Sequence, residues 1–344
     1  MNSAATEDYV HRASLNYIGS KYKLIPFINE TITSFVGDLS DLALAEVFGG
    51  TGAVARFFKS RVKQVIVNDI EPYSYVLSRN YIGNHRDFAG QALIDELNAL
   101  PGRAGLIFRH YCLGGETERQ YFSDDNGRKI DAIRRQIETW KRDQTIDEDQ
   151  YYFLLASLLE SADQVANVAS VYGAYLKHLK KTAQKPLHLN PARFEATATS
   201  HLVYQMDANT LVRQIEGDIL YLDPPYNHRQ YGANYHLLNT IALYDDFTPQ
   251  GKTGLRDYVR SPYCRRDQVA AAFEELIAQA NFSYIFLSYN NEGLMSVEEV
   301  EAIMANYGRY SLRTTAYQRF KADRDSNRRH KASRTEEYLH VLRK

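Results

Sequence analysis

A strand–helix alternation near the start of the chain limits its fold more than any other feature. Residues 42–48 (LALAEVF) form an apolar run that ends in glycines, and residues 53–60 then suit a helix. Residues 64–68 (QVIVN) form a β-branched run, followed by helix-permissive residues to about residue 80. Two successive strand–helix units imply a parallel sheet with right-handed crossovers. An amphipathic pattern at residues 21–35 adds a helix ahead of them. The sequence therefore predicts an α/β protein with a mostly parallel, doubly wound sheet.

The pattern changes between residues 84 and 189, where helical segments and loops occur without a clear strand. The strongest helices are predicted at residues 129–142 and 147–179. Asp147 suits the N-cap of the second helix, with Gln150 as its capping-box partner. A mainly helical region therefore interrupts the alternating pattern.

Strand signals return after this helical region. Runs that suit strands occur at residues 202–206, 219–222, 284–289, 310–316 and 338–342. A sheet whose chain is interrupted by an insertion accounts for both regions. We predict one catalytic domain formed by residues 13–83 and 199–344, with residues 84–198 as a mainly helical insertion.

The composition excludes several classes of protein. Cys112 and Cys264 are the only cysteines, so neither a disulfide scaffold nor a CxxC zinc site is predicted. The N-terminal segment lacks the basic and apolar regions of a secretory signal. No stretch approaches the ~18 uninterrupted apolar residues of a membrane span. We therefore expect a cytoplasmic protein without a membrane partner.

Glycines after the first predicted strand point to a ligand that contains a nucleoside. Gly49, Gly50 and Gly52 stand between strand and helix, where glycine permits a tight turn and close ligand approach. Asp69 follows Gly49 by 20 residues, a spacing that suits an acid bound to ribose hydroxyls. Residues 50–55 also fit the GxGxxA pattern of nicotinamide cofactors. This feature alone is equally compatible with a dehydrogenase and a methyltransferase.

The segment from Asp223 to Tyr226 (DPPY) follows a predicted strand and favours the methyltransferase. It can simply be a rigid loop that ends the strand, because its two prolines lack backbone donors. It also suits chemistry on an amine, since a carboxylate and a proline carbonyl can both accept its hydrogens while the tyrosine stacks on the base. Two acceptors localise the amine's lone pair and stabilise the positive charge that develops during methyl transfer. A dehydrogenase needs no such turn.

With these motifs the chain resembles the amino-methylating DNA methyltransferases, especially the alpha-ordered, Dam-like adenine-N6 group of restriction–modification systems. Four segments resemble that group's cofactor, glycine, ribose and catalytic motifs in order: residues 16–21, 48–52, 68–71 and 223–226. Further similarity occurs at residues 121–127, 165–173 and 227–231. The resemblance implies a Rossmann-like class I methyltransferase fold, S-adenosylmethionine as cofactor, no metal, and a flipped adenine in double-stranded DNA as substrate.

The resemblance also implies roles for individual residues. Asp223, Pro224, Pro225 and Tyr226 would form the reacting turn. The residues implied to hold the cofactor are Tyr17, Lys21, Glu46, Phe48, Gly49, Gly50, Gly52, Asp69 and Asp207. Tyr17 and Lys21 would contact its methionyl end, with Lys21 near the carboxylate, although Lys21 also suits a solvated helix face.

Two of these assignments have alternatives, and one residue departs from the pattern of the family. Glu46 would accept from the cofactor's α-amino group, or it could cap the turn. Asp69 would bind ribose. Asp207 would meet the adenine amine, with an N-cap of the next helix as the alternative. Gly50 stands where many relatives carry a larger residue, and we expect it to loosen the turn.

Basic segments are candidates for DNA binding even though the whole chain, with 41 basic and 42 acidic residues, is nearly neutral. Residues 308–344 hold eleven lysines and arginines against four acids, and residues 256–266 hold four arginines against one aspartate. Such segments suit phosphate contacts or a solvated tail. The candidate DNA contacts are Asn227, His228, Arg229, Tyr231, Arg119, Tyr121, Arg256 and Arg260.

The leading hypothesis is a site-specific DNA adenine-N6 methyltransferase whose helical insertion recognises the target. One alternative is an RNA adenine-N6 methyltransferase with the same turn, which the N-terminal motif and the large insertion disfavour. Another is a catalytically idle DNA-binding module, which the intact reacting turn disfavours. The resemblance further implies a prokaryotic or phage origin and a cognate restriction endonuclease as partner.

Overall fold

The computed structural model describes residues 15–318 and 334–344, in two compact units. The sheet unit comprises Lys21–Ile70, His201–Gln230 and the described residues from Arg260 to Lys344. The helical unit comprises Glu71–Ser200, Tyr231–Val259 and the described residues up to Ser20. Each unit has its own buried interior and is described by itself.

The sheet unit is built on seven strands. They are β1 (Ala43–Glu46), β2 (Gln64–Asn68), β3 (Leu202–Tyr204), β4 (Glu216–Leu222), β5 (Asn281–Asn290), β6 (Arg309–Gln318) and β7 (Arg334–Arg343). Their order in the sheet is β3-β2-β1-β4-β5-β7-β6. The first five strands pair in parallel, and β7 runs antiparallel between β5 and β6. The predicted α/β class with a mostly parallel, doubly wound sheet is confirmed.

Helices of the sheet unit cover the buried strands. They are α1 (Ile25–Val36), α2 (Ala53–Phe58), α8 (Ala208–Leu211), α11 (Val269–Gln279) and α12 (Val297–Ala305), with 3-10 turns at Tyr22–Leu24 and Pro262–Cys264. Apolar side chains of β1, β2, β4 and β5 pack with those of α11 and α12 into one core. Burying these strands leaves only their ends accessible to a ligand.

The helical unit contains the remaining helices. They are α3 (Pro72–Ser78), α4 (Gln91–Ala99), α5 (Leu106–Tyr111), α6 (Asp124–Arg142), α7 (Glu148–Val165), α9 (Tyr231–Asn234) and α10 (His236–Leu243), with a π-helical turn at Arg79–Gly83. This unit takes in residues 71–83 and 231–259, because α3 and α10 pack against α7. Between residues 84 and 189, all of which are described, the isolated bridge between Cys112 and Phe122 is the only strand-like pairing.

The start of α7 confirms its prediction, and its end does not. Asp147 and Gln150 form the reciprocal capping box that the sequence indicates. The predicted helix to residue 179 is wrong, because α7 ends at Val165. The side chain of Asn167 instead donates to the Leu176 carbonyl at 2.9 Å and accepts from the main chain of a later loop residue. Hydrogen bonds to the main chain therefore replace the helical ladder here.

No helix in the part of the chain that the structure describes is long and apolar enough to cross a membrane.

Candidate active site

Acidic residues converge on the edge of the sheet unit where the parallel strands end. Glu46 is the last residue of β1, and Asp69 and Asp223 directly follow β2 and β4. Asp207 stands between β3 and α8. Because β3, β2, β1 and β4 are neighbours and parallel, their carboxyl ends share one edge. The fold thus places four predicted site residues along the ligand-binding edge of the sheet.

Lys21 and Asp223 form a buried ion pair at this edge. The Lys21 Nζ lies 3.1 Å from the Asp223 Oδ1, with the two side chains 6% and 19% exposed. Burial raises the pKa of Asp223, and the Lys21 ammonium opposes that rise. For Lys21, desolvation is outweighed by the carboxylates of Asp223 and Glu337, so its pKa is raised. Lys21 is a charged partner of the Asp223 carboxylate, and the alternative of a solvated lysine is wrong.

The reacting turn is held in place on both sides. The Leu294 N–H donates to the Tyr226 carbonyl at 2.9 Å, and the Tyr226 ring meets that of Tyr289 edge-on, with centroids 6.4 Å apart. The Lys21 Nζ lies 5.6 Å from the centroid of the Tyr226 ring. Pro224 is buried, and burial raises the pKa of the Tyr226 hydroxyl. Tyr226 therefore presents a neutral, positioned aromatic ring next to Asp223.

Gly49 is required by a close approach of two strands. Its N–H donates to the Asn68 carbonyl at 2.8 Å. A Cβ at this position would lie 2.9 Å from the Val67 Cγ2. Phe48, which precedes it, packs edge-on against Tyr263 with ring centroids 4.9 Å apart. The start of the glycine turn is thereby fixed against β2 and the core.

Gly50 and Gly52 complete the turn with left-handed backbone conformations, at φ +54° and +71°. The Gly50 N–H donates to the Asp69 Oδ2 at 2.7 Å. The expectation that Gly50 loosens the turn is therefore wrong, because its N–H is bonded to Asp69 and its left-handed conformation is one that glycine favours. Asp69 braces the turn and stays partly accessible.

Glu46 and Asp207 both show the capping roles that stood as alternatives. The Glu46 Oε2 accepts from the Ala55 N–H at 2.8 Å in the first turn of α2, and burial raises the pKa of this carboxyl. The exposed Asp207 accepts from the Thr210 N–H at 2.9 Å and so caps α8. Each carboxylate has a second oxygen, so capping leaves room for a ligand contact.

Glu337 on β7 is a candidate site residue that the sequence did not identify. It faces Asn290 in the β5–β7 register and is 7% exposed. Its Oε2 has no hydrogen-bond partner among the described residues. Burial raises the pKa of Glu337, the Lys21 ammonium lowers it and the Asp223 carboxylate raises it. The ionisation of Glu337 therefore depends on the charges of the Lys21–Asp223 pair. The available signal was alternation, since Glu337 shares its strand face with the buried Leu339 and Val341.

Tyr17 lies in an aromatic cluster of the helical unit. Its ring stacks on Tyr235, with centroids 4.7 Å apart, and lies 5.5 Å from that of Tyr231. Its hydroxyl is 3.0 Å from that of Tyr73. The Tyr231 hydroxyl donates to the Ile18 carbonyl at 3.3 Å. Tyr231, a predicted DNA contact, is thus tied to the segment that carries Tyr17.

The structure gives Arg119 and Tyr121 internal roles, which corrects their assignment as DNA contacts. The Arg119 guanidinium donates to the carbonyls of His110, Gly251 and Lys252 at 2.9–3.2 Å. Tyr121 is fully buried, and its hydroxyl donates to a main-chain carbonyl at 2.7 Å. Neither side chain is presented to a macromolecular ligand, because both are buried and their donors are used within the protein.

The other predicted DNA contacts differ in accessibility. Arg256 pairs with Asp245 through both guanidinium nitrogens, at 2.8 and 3.1 Å, and its side chain is 10% exposed, which argues against a free phosphate ligand. His228, Arg229 and Arg260 are exposed. The Asn227 Oδ1 accepts from the Arg229 N–H at 2.9 Å and shapes the chain after the reacting turn. Residues 319–333, within the predicted basic C-terminal segment, lie outside the described residues.

Fold and site together define a class of enzyme. A glycine turn after β1, an acid after β2 and an Asp-Pro-Pro-Tyr turn after β4 of a Rossmann-like sheet are the parts of an amino-group methyltransferase. The chain belongs to the family of D12 class N6 adenine-specific DNA methyltransferases, whose profile it matches over residues 17–303. It is an adenine-specific DNA methyltransferase, so the dehydrogenase interpretation does not hold.

Relatives match nearly the whole chain. The Type II methyltransferase M.NlaIII of Neisseria lactamica is 62% identical over 333 residues, which cover 96% of this chain and 99% of that protein. The Type II methyltransferase M.CviAII of Paramecium bursaria Chlorella virus 1 is 37% identical, over 90% of this chain and 93% of that protein. The Type II methyltransferase M.FokI of Planomicrobium okeanokoites is 37% identical over 96% of this chain, which spans 53% of that longer protein. These relatives place the chain among restriction–modification methyltransferases of bacteria and viruses.

Proposed function

We propose that this enzyme methylates the N6 amine of an adenine flipped out of duplex DNA, with S-adenosylmethionine as cofactor. The observation that carries the proposal is the buried ion pair of Lys21 and Asp223 at the start of the reacting turn. A base inside a duplex cannot reach a carboxylate that is only 19% exposed, so the adenine has to leave its stack. S-adenosylmethionine would supply an electrophilic methyl group on a sulfonium sulfur, which leaves as a neutral thioether when the amine takes the methyl group, so the proposal requires no metal.

Asp223 is assigned the main role in activating the amine. The N6 lone pair of adenine is delocalised into the ring, which makes the amine a poor nucleophile. The Asp223 carboxylate and the Pro224 carbonyl would each accept one amine hydrogen and localise the lone pair. Lys21 favours the ionised form of Asp223 by opposing the effect of burial on its pKa. Acceptors held in a buried site stabilise developing positive charge more strongly than water does.

Tyr226 is assigned to hold the target base by stacking. Its carbonyl is fixed by the Leu294 N–H and its ring by Tyr289, so it needs little reorganisation when a base arrives. Pro225 lies between it and the buried Pro224 and adds no backbone donor. A rigid platform of this kind positions the amine for in-line transfer.

The acceptors at the carboxyl edge of the sheet fit S-adenosylmethionine. Its α-ammonium group, ribose diol and adenine amine are all hydrogen-bond donors, and Glu46, Asp69 and Asp207 are acceptors at neighbouring strand ends. The turn at Gly49 leaves main chain uncovered by side chains for close approach. Phe48, Gly50 and Gly52 are further assigned to line this site, and the resemblance assigns Tyr17 to the cofactor as well. Lys21 has three donors, so it can serve the methionyl carboxylate as well as Asp223.

The helical insertion and the exposed residues after the reacting turn are proposed to bind DNA. His228 and Arg229 follow Tyr226 closely and are exposed, as is Arg260. They would hold the backbone around the flipped nucleotide, with the insertion as the target-recognition part. Phosphate contacts of this kind position the duplex without reading its sequence.

The test is transfer of tritiated methyl from S-adenosylmethionine to duplex DNA by the purified protein and by Asp223→Ala. Transfer to DNA by the wild type and its loss in Asp223→Ala are the expected results. Asp41→Ala, which removes an exposed carboxylate, is the matched control and should retain transfer. Label on RNA alone would favour an RNA methyltransferase, and unlabelled nucleic acid with intact DNA binding would favour an idle module. Either outcome would overturn the proposal.

The Type II relatives support a role beside a restriction endonuclease in the cytoplasm of a bacterium or an infected cell. Long-read sequencing of DNA from a methylation-free host that expresses the chain should show N6-methyladenine at one short sequence. The same DNA should resist an endonuclease encoded next to the gene. Methylation spread over many unrelated sequences would contradict this role.

A further inference from the structure

A basic loop in the helical unit remains unexplained by the proposed roles. We define it as residues 175–193, between α7 and β3. It contains Lys177, Lys180, Lys181, Lys185 and Arg193, and no acid occurs anywhere from residue 164 to residue 194. For a chain with 41 basic and 42 acidic residues, a stretch of this length without an acid is unusual. The concentration of charge therefore calls for a local explanation.

The main chain of the basic loop is held by two buried asparagines. Asn167 donates to the Leu176 carbonyl at 2.9 Å and accepts from the Lys180 N–H at 3.0 Å. Asn126 donates to the Lys185 carbonyl at 2.9 Å. Asn167 is fully buried and Asn126 is 2% exposed, so the loop is anchored to the interior of the helical unit. The loop is irregular in conformation but fixed in place.

Three lysines of this fixed loop point outward. Lys177, Lys181 and Lys185 are exposed, and none of them makes an ion pair with a residue that the structure describes. The Gln184 N–H donates to the Lys180 carbonyl at 3.2 Å and the Lys185 N–H to the Thr182 carbonyl at 3.3 Å, so Lys181 and Lys185 belong to one short turn. Two like charges on one short turn repel each other. A bound anion would relieve that repulsion.

We propose that Lys177, Lys181 and Lys185 form a site for the phosphate backbone of DNA. This inference rests on the proposed function, which makes duplex DNA the substrate. A loop already ordered by Asn126 and Asn167 presents its charges without a further cost of ordering the main chain. Lysine binds phosphate as a point charge, so the site would orient the duplex and would not distinguish bases.

The experiment is a fluorescence anisotropy titration of a labelled duplex DNA at several KCl concentrations. Removing three phosphate contacts should make the negative slope of log affinity against log salt concentration shallower by about 2.7, at ~0.9 per contact. The triple variant Lys177→Ala, Lys181→Ala, Lys185→Ala should show this loss and a higher KM for DNA. The triple lysine-to-arginine variant should keep the wild-type slope. Lys63→Ala, which removes an exposed lysine directly before β2, should keep the wild-type slope as well.

Two outcomes separate this inference from the proposed function. If the wild type methylates DNA and the triple alanine variant, with an unchanged melting curve, keeps the full salt slope, the lysines do not bind phosphate. If the wild type transfers no methyl group to DNA, the proposed function fails, whatever the salt slope shows. Loss of slope in the arginine variant as well would overturn the inference, because that variant keeps all three positive charges.

Discussion

Replacing Lys21 by methionine tests whether its ammonium keeps Asp223 ready to accept the target amine. Methionine matches the length of the lysine stem but carries no charge. The Asp223 carboxylate would then be buried without its partner at 3.1 Å. Because burial already raises the pKa of Asp223, removal of the opposing ammonium should raise it further.

The free-energy cost of this substitution follows from the burial of the Lys21–Asp223 pair. Removing one partner of a buried ion pair costs about 3–5 kcal/mol, because it leaves an uncompensated buried charge. Protonation of Asp223 relieves that cost, so its pKa rises. A protonated Asp223 has lost an acceptor, so the acid limb of the activity profile should move to higher pH. Folding of the variant then favours protonated Asp223, so its stability falls as the pH rises through the new pKa.

The assay is the initial rate of methyl transfer at saturating DNA and cofactor across pH, together with melting temperatures over the same range. The melting deficit of Lys21→Met relative to the wild type should be smallest in acid and grow toward neutral pH. Lys21→Arg, which keeps the charge, and Lys23→Met, on an exposed neighbour, serve as controls. An acid limb at its wild-type position, with a melting deficit independent of pH, would refute the electrostatic role of Lys21.

Two further substitutions test the turn and the buried acid. Gly49→Ala would place a Cβ 2.9 Å from the Val67 Cγ2, so we expect destabilisation of about 1–3 kcal/mol and weaker S-adenosylmethionine binding by calorimetry. Gly173→Ala, which meets open space, is its control, and equal effects of both would contradict the packing argument. Burial raises the pKa of Glu337, so the wild type loses stability as pH rises through that pKa, whereas glutamine cannot ionise. The melting temperature of Glu337→Gln should therefore gain on that of the wild type as pH rises, and a steady loss would show that ionised Glu337 stabilises Lys21.

Elements with local signals were predictable from the sequence. The β-branched run at Gln64–Asn68 is β2 with the same bounds, and Asp147 caps α7 together with Gln150. Both follow from neighbouring residues alone, through strand propensity and side-chain-to-backbone hydrogen bonds. The order of the glycine turn and the reacting turn was equally predictable from the sequence, because each turn directly follows a predicted strand.

Features that depend on distant partners were not predictable. The end of α7 is set by Asn167, whose partners lie in the following loop. Arg119 was assigned to DNA because an arginine in a polar stretch has the chemistry of a phosphate ligand. Its carbonyl partners at residues 251 and 252 are more than 130 positions away. No local pattern distinguishes a side chain that will be buried in this way.

The sequence by itself determined the fold class and the family, and it predicted the chemistry of the reacting turn, since these depend on residue types in a fixed order along the chain. Only the tertiary structure decided which charged side chains lie close enough to affect one another's ionisation. Lys21 and Asp223 are 202 positions apart, and Glu337 lies on a strand that enters the sheet antiparallel beside β5. Their ionisation depends on burial and on charge-to-charge distance, which exist only once the sheet has assembled.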